Sequence, residues 1–97
     1  MQFNITDNPA KKRYEAIVED SLVFIEYIKA KEKIYLTHTE VPGALEGKGI
    51  GSSLVLKVLE DIEKQGLTLV PLCPFVAMYL KKYPEWRRLV MKGINIE

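Results

Sequence analysis

The chain has 97 residues, 47% of them hydrophobic and 28% charged, with a formal net charge of +1. That length predicts one compact domain over residues 1–97, and that charge excludes a basic field that would hold nucleic acid or an anionic membrane. The single cysteine, Cys73, excludes an intramolecular disulfide and a cysteine-rich metal site.

A chain of this composition with one thiol fits a reducing, cytoplasmic setting. The start, Met1-Gln2-Phe3-Asn4-Ile5, lacks the charged and long apolar regions of a signal peptide. No apolar run approaches the roughly 20 residues needed to span a bilayer.

In chain order, Phe3 to Thr6 is expected as a short edge strand, with Asp7-Asn8-Pro9 turning the chain. Arg13 to Glu19 alternates, with Tyr14, Ala16 and Val18 on one face, as a half-buried strand does. Leu22 to Ala30 is rich in β-branched and aromatic residues and predicts a second long strand after a turn at Asp20-Ser21. After a turn at Lys31-Glu32 comes a strand over Ile34 to Val41, with Ile34, Leu36, His38 and Glu40 on one face. Short turns between these strands predict an antiparallel meander.

The period then changes. Leu54, Val55, Val58, Leu59 and Ile62 recur at helical spacing, and Gly66 is a natural stop. Leu67 to Leu72 predicts a buried strand. Pro71 within it predicts an edge or a break in pairing. Pro74 suits the first turn of a second helix that carries Phe75, Val76, Met78, Tyr79 and Leu80 and ends near Pro84. The order β-β-β-β-α-β-α is an α+β domain with a mixed central sheet.

The segment between the meander and the first helix is the most informative. Gly47-Lys48-Gly49-Ile50-Gly51-Ser52 links a strand to an amphipathic helix. The first N–H groups of a helix lack intrahelical partners, and glycines let a ligand approach them, so such a loop suits a phosphate or pyrophosphate. A plain glycine turn capped by Ser52 is the structural alternative. A P-loop is excluded, because its first glycine would fall on Pro42 and its Ser/Thr on Gly49. The dinucleotide pattern G-x-G-x-x-G fails too, because its third glycine would fall on Ser52 or Leu54.

What remains resembles the coenzyme A loop of the GNAT N-acetyltransferase superfamily, [Gln/Arg]-x-x-Gly-x-[Gly/Ala]. Gly49 and Gly51 match its two small positions, and Glu46 stands where the family has Gln or Arg. His38-Thr39-Glu40-Val41-Pro42, Glu46 to Leu54, and Val70 to Ala77 together are similar to the compact GNAT subfamily called the Yjdj-type N-acetyltransferase domain. The resemblance implies a minimal GNAT fold that binds acetyl-CoA along Val41, Glu46, Gly47, Lys48, Gly49, Ile50, Gly51, Ser52 and Cys73, and transfers the acetyl group to an amine. It implies no particular acceptor.

The catalytic candidates follow from that chemistry. His38, the only histidine, suits a general base near neutral pH, or a half-buried core position. Glu40 is its neighbour on the strand, a base or a solvated side chain. Cys73, before the Pro74 helix, is a nucleophile with His38 as its base, or a small residue lining the cofactor slot. Ala77-Met78-Tyr79 is similar to the GNAT segment whose tyrosine protonates the coenzyme A thiolate; a core aromatic is the alternative. A non-catalytic acyl-CoA-binding module is the other functional class these residues fit. Typical GNAT domains wall their acceptor groove with elements that this chain is expected to lack, which predicts a peptide or protein amine, bound by a monomer or by a homodimer that closes the groove.

Overall fold

A computed structural model describes residues 3–96. Five strands form one sheet in the order β1-β2-β3-β4-β5. They are β1 (Thr6–Asn8), β2 (Arg13–Val18), β3 (Ser21–Ala30), β4 (Lys33–Glu40) and β5 (Thr68–Pro71). The first four pair antiparallel and β5 joins β4 in parallel. Helix α1 (Ile50–Gln65) makes the crossover between β4 and β5, and α2 (Pro74–Lys82) follows β5. The expected α+β order and mixed sheet are present.

Alternation in β2 and β3 decides which face is buried. Tyr14, Ala16, Val18, Val23, Ile25 and Tyr27 point into one core with the buried stripe of α1 and with Val76, Tyr79 and Leu80 of α2. The opposite face carries Arg13, Glu15, Phe24 and Glu26, and leaves Ile17 and Ile28 in solvent. The clamp between the layers is polar: the Tyr14 hydroxyl donates to Asp61 Oδ2 of α1 at 2.7 Å, and Gln65 donates to the same carboxylate.

Four local expectations are corrected. The edge strand is not Phe3–Thr6: Phe3 and Ile5 pack against the core without a ladder, and pairing starts at Thr6, opposite Glu15. Asp7-Asn8-Pro9 is therefore not the turn; the chain reverses over Pro9–Lys12, where Lys12 N donates to Pro9 O at 3.1 Å. Asn8 belongs to the strand because its side chain donates to Glu15 Oε1 at 2.6 Å. The β2–β3 turn falls on Glu19-Asp20, both at positive φ (51° and 66°), one residue earlier than Asp20-Ser21. Strand β4 stops at Glu40, before Val41.

A fifth correction moves His38 to the other face. Glu26 lies opposite His38 and Tyr27 opposite Leu36, so Thr37 is an extra residue on β4. That bulge shifts the alternation by one. Ile34 and Leu36 are fully buried, yet His38 and Glu40 point outward, and Thr39, opposite the buried Ile25, points inward.

Candidate functional site: a cleft between a splayed strand pair and a helix N-terminus

Strands β4 and β5 part company at one place. Their parallel register ends at Leu36 opposite Pro71. Pro71 has no N–H to continue the ladder, and the next two amides, Leu72 N and Cys73 N, both donate to Leu36 O, at 3.0 and 2.8 Å. β5 then turns into α2, while β4 runs on to Glu40 against β3 alone. Among the described residues, the β5-side edge of β4 from Thr37 to Glu40 has no strand partner.

Next to that edge lies a cleft of about 400 Å³. Thr39 and Val41 form its β4 side, Leu45, Glu46 and Gly47 its loop side, Gly49 to Ser52 the helix end, and Phe75 of α2 the far wall. Two features keep the helix end open. Gly49 is the N-cap of α1 at φ 73°, without a side chain to cap the helix, and Gly47 also has positive φ (80°). Ser53 N donates to Gly49 O at 3.0 Å, but the amides of Ile50, Gly51 and Ser52 precede this first intrahelical donor and have no acceptor within the helix. Ser52 lies within the first turn and caps nothing. The result is a set of convergent N–H donors at the positive end of a 16-residue helix dipole, a seat for a phosphate or pyrophosphate. Lys48 points away to the β2–β3 turn, where its Nζ is 2.9 Å from Glu19 Oε1.

Of the residues expected to bind a cofactor, Val41, Glu46, Gly47, Gly49, Ile50, Gly51 and Ser52 line this one cleft. Lys48 belongs to the same loop without lining it. Cys73 is buried behind the cleft as the N-cap of α2, with Pro74 in the first turn, and its Sγ is 3.2 Å from Thr39 Oγ1.

The catalytic candidates are distributed differently. His38 Nε2 is 2.9 Å from Glu40 Oε1, on the outward face at the free β4 edge, and the two side chains are 53% and 50% exposed. His38 and Cys73 therefore lie on opposite sides of β4, and no hydrogen bond joins them among the described residues. Tyr79 is in the core, one helical turn beyond Phe75, and does not line the cleft; its ring packs on Tyr83 with centroids 4.6 Å apart. Burial, then Tyr83, Glu85 and Glu60, push its hydroxyl above the ordinary tyrosine range, so it keeps its proton. Thr39, Leu45 and Phe75 line the cleft without having been anticipated there. Only the bulge brings Thr39 inward, and the sequence has no mark of it.

The family model described as GCN5-related N-acetyl-transferase matches residues 13–89, from the start of β2 to the turn after α2. The chain belongs to the GCN5-related N-acetyltransferase family. The match takes in the splayed pair, the loop and both helices. Protein NATD1 of Xenopus tropicalis is 30% identical over 64 residues, which are 66% of this chain and 58% of that protein. The chain thus matches less than two thirds of that relative's length. Members of the family generally use acetyl-CoA, and a cleft with open amides at one end and an unpaired strand edge at the other fits an elongated pyrophosphate ester. Among the described residues no cluster of three or more His, Cys, Asp or Glu is placed to hold a metal ion, and no helix is long and apolar enough to cross a membrane.

Proposed function

We propose that this domain, as a single unit over residues 1–97, transfers an acetyl group from acetyl-CoA to a primary amine. The observation that supports the reading best is the uncapped N-terminus of α1, opening into a cleft that continues to the unpaired edge of β4. In this reading the amides of Ile50, Gly51 and Ser52 hold the pyrophosphate, Gly47 and Gly49 give the loop its path, and Val41 flanks the pantetheine arm. Lys48, next to the phosphates, is tied to Glu19 and adds long-range attraction rather than a contact. Glu46 brings a carboxylate to the mouth of an anion site, so binding rests on backbone dipoles and not on that side chain.

The acceptor amine meets the thioester at the β4 edge. The nitrogen attacks the carbonyl carbon, the amide bond forms, and the carbon–sulfur bond breaks. One proton leaves the amine and one goes to the thiolate. The His38–Glu40 pair stands at that edge and is the base within reach of an amine arriving from the outward face. Tyr79 holds its proton, but it lies in the core outside the cleft lining, so the geometry does not favour it as the acid for the thiolate. Cys73 is buried and hydrogen-bonded to Thr39, which favours direct transfer over a cysteine-bound acyl group.

Calorimetry with coenzyme A tests the cofactor site. Gly49→Val puts a β-branched residue at φ 73°, a strain of about 1–2 kcal/mol that a folded domain can carry. The variant should stay folded by circular dichroism and lose coenzyme A affinity at least tenfold. Unchanged affinity in that folded variant rules the site out. Thiol release from acetyl-CoA across a broad panel of amines separates an enzyme from a module that only binds acyl-CoA.

A further inference from the structure

Of the cleft's lining residues, two carry a side-chain hydroxyl, Ser52 and Thr39. Ser52 sits in the first turn of α1, at the anion end. Thr39 sits at the other end, on the stretch of β4 that has lost its β5 neighbour. It reaches the cleft because the Thr37 bulge turns it inward, and it is half-buried there. Its Oγ1 is 3.2 Å from the Sγ of Cys73, a buried thiol.

That contact constrains a proton. A hydroxyl has one donor and two acceptor positions, and a thiol is a weak donor that seeks an acceptor when buried. Leu36 O, the β4 carbonyl that faces this turn, already accepts from both Leu72 N and Cys73 N. When Cys73 S–H donates to Thr39 Oγ1, the threonine proton is free to point away from the thiol and into the cleft.

We propose that Thr39 donates this hydrogen bond to the thioester group bound in the cleft, and that Cys73 is the positioning residue that aims it. The proposal rests on the acetyl-CoA reading above and adds to it a side chain that stabilises the reacting group. As the amine nitrogen attacks, negative charge grows on the thioester oxygen and passes to the sulfur. A fixed hydroxyl at that place stabilises the charge without giving up its proton. Cys73 forms no covalent bond in this scheme.

Two measurements test it, one without an acceptor. Thr39→Val is nearly isosteric, removes the donor and should leave the fold intact. It should reduce the preference for acetyl-CoA over coenzyme A, read as the ratio of calorimetric Kd values, about tenfold, with coenzyme A itself bound as before. It should also lower kcat by about ten- to a hundredfold, in the range expected for losing one such donor. Thr39→Ser should recover most of both, and Cys73→Ala, which leaves the hydroxyl unaimed, should fall between wild type and Thr39→Val. An unchanged Kd ratio in folded Thr39→Val overturns the proposal even if the wild type acetylates amines. An altered ratio with no turnover on any amine supports it and overturns acetyl transfer instead. If neither ligand binds wild type, both ideas fail.

Discussion

Gly51 faces a different constraint from the glycines before it. Its φ is ordinary, but a Cβ added there would stand 2.7 Å from Cζ of Phe75. That ring, 40% exposed, is also the α2 wall of the cleft. Helix and ring can touch only because residue 51 has no side chain. Gly51→Ala is therefore expected to separate stability from binding. Alanine gains about 0.5–1 kcal/mol over glycine inside a helix, which offsets the displaced ring. The ring itself must swing, and the cleft is where it has room. Coenzyme A affinity should fall about tenfold in calorimetry while thermal stability is nearly kept. Combining the change with Phe75→Leu should restore affinity; a double variant as weak as Gly51→Ala alone would place the cause elsewhere. The sequence marked Gly51 as a phosphate-loop glycine and Phe75 as part of an apolar helix face. Their contact joins residues 24 apart and was not legible from spacing.

Elements with a single periodicity were legible, and elements that depend on a partner were not. Tyr14, Ala16 and Val18 alternate because β2 has one wet face, and α1 shows its stripe because it has one core to cover. The direction of His38 depends on how β4 registers against β3, which is a property of two strands. Likewise, Phe3 and Ile5 look like a strand by hydrophobicity, but the ladder forms where Asn8 meets Glu15 and Asp7 meets Tyr27. The β2–α1 interface gives a testable case of the same kind. The Tyr14 hydroxyl is raised well above its ordinary pKa, first by burial and then by its hydrogen bond to Asp61. The folded value therefore exceeds the unfolded value of about 10, so this group's contribution is complete below pH ~10 and is lost as pH rises beyond it. Each such tyrosine makes stability fall by about 1.4 kcal/mol per pH unit in that window, and Tyr27, raised by burial and Asp7, adds to it. Tyr14→Phe should be less stable at pH 7 by about 1–2 kcal/mol, from the lost hydrogen bond, and should show a shallower alkaline limb. Urea midpoints at pH 7, 9, 10 and 11 check both. Parallel alkaline limbs in the two proteins would mean that Tyr14 ionises alike in folded and unfolded chains.

At the scale of the molecule, the described residues cover one face of the sheet and leave the other bare. Both helices contribute to a single core, and β1 reaches β2 through a four-residue turn, Pro9–Lys12, that lays nothing across the outward side. That side is not featureless. Ile17 and Ile28 are 64% and 53% exposed at its margins, and Glu15, Glu26 and Glu40 lie between them. Arg13, the cation among them, is engaged by Glu15 at 3.4 Å and by the Phe24 ring at 4.6 Å. Glu26 has no ion partner among the described residues. An amine that reaches the β4 edge from this side passes carboxylates and apolar side chains but is not enclosed. A small ligand gains affinity from a pocket that surrounds it, and an open, mildly acidic face offers too few contacts for that. An extended peptide supplies its own contacts along the face, and flanking basic residues complement Glu26 and Glu40. A lysine in a peptide or protein is therefore the expected acceptor. Competition checks it: kcat/KM for lysine-containing peptides, with and without basic neighbours, against free polyamines and amino acids. Peptides should lead, and Glu26→Gln should narrow their lead while leaving free amines little changed. If a free small amine wins by orders of magnitude, the face is not the acceptor surface as it stands in one copy. Sedimentation would then show whether a second subunit supplies the missing wall. A monomer that prefers a small amine would overturn the argument outright, because the described residues of one chain do not enclose such a molecule.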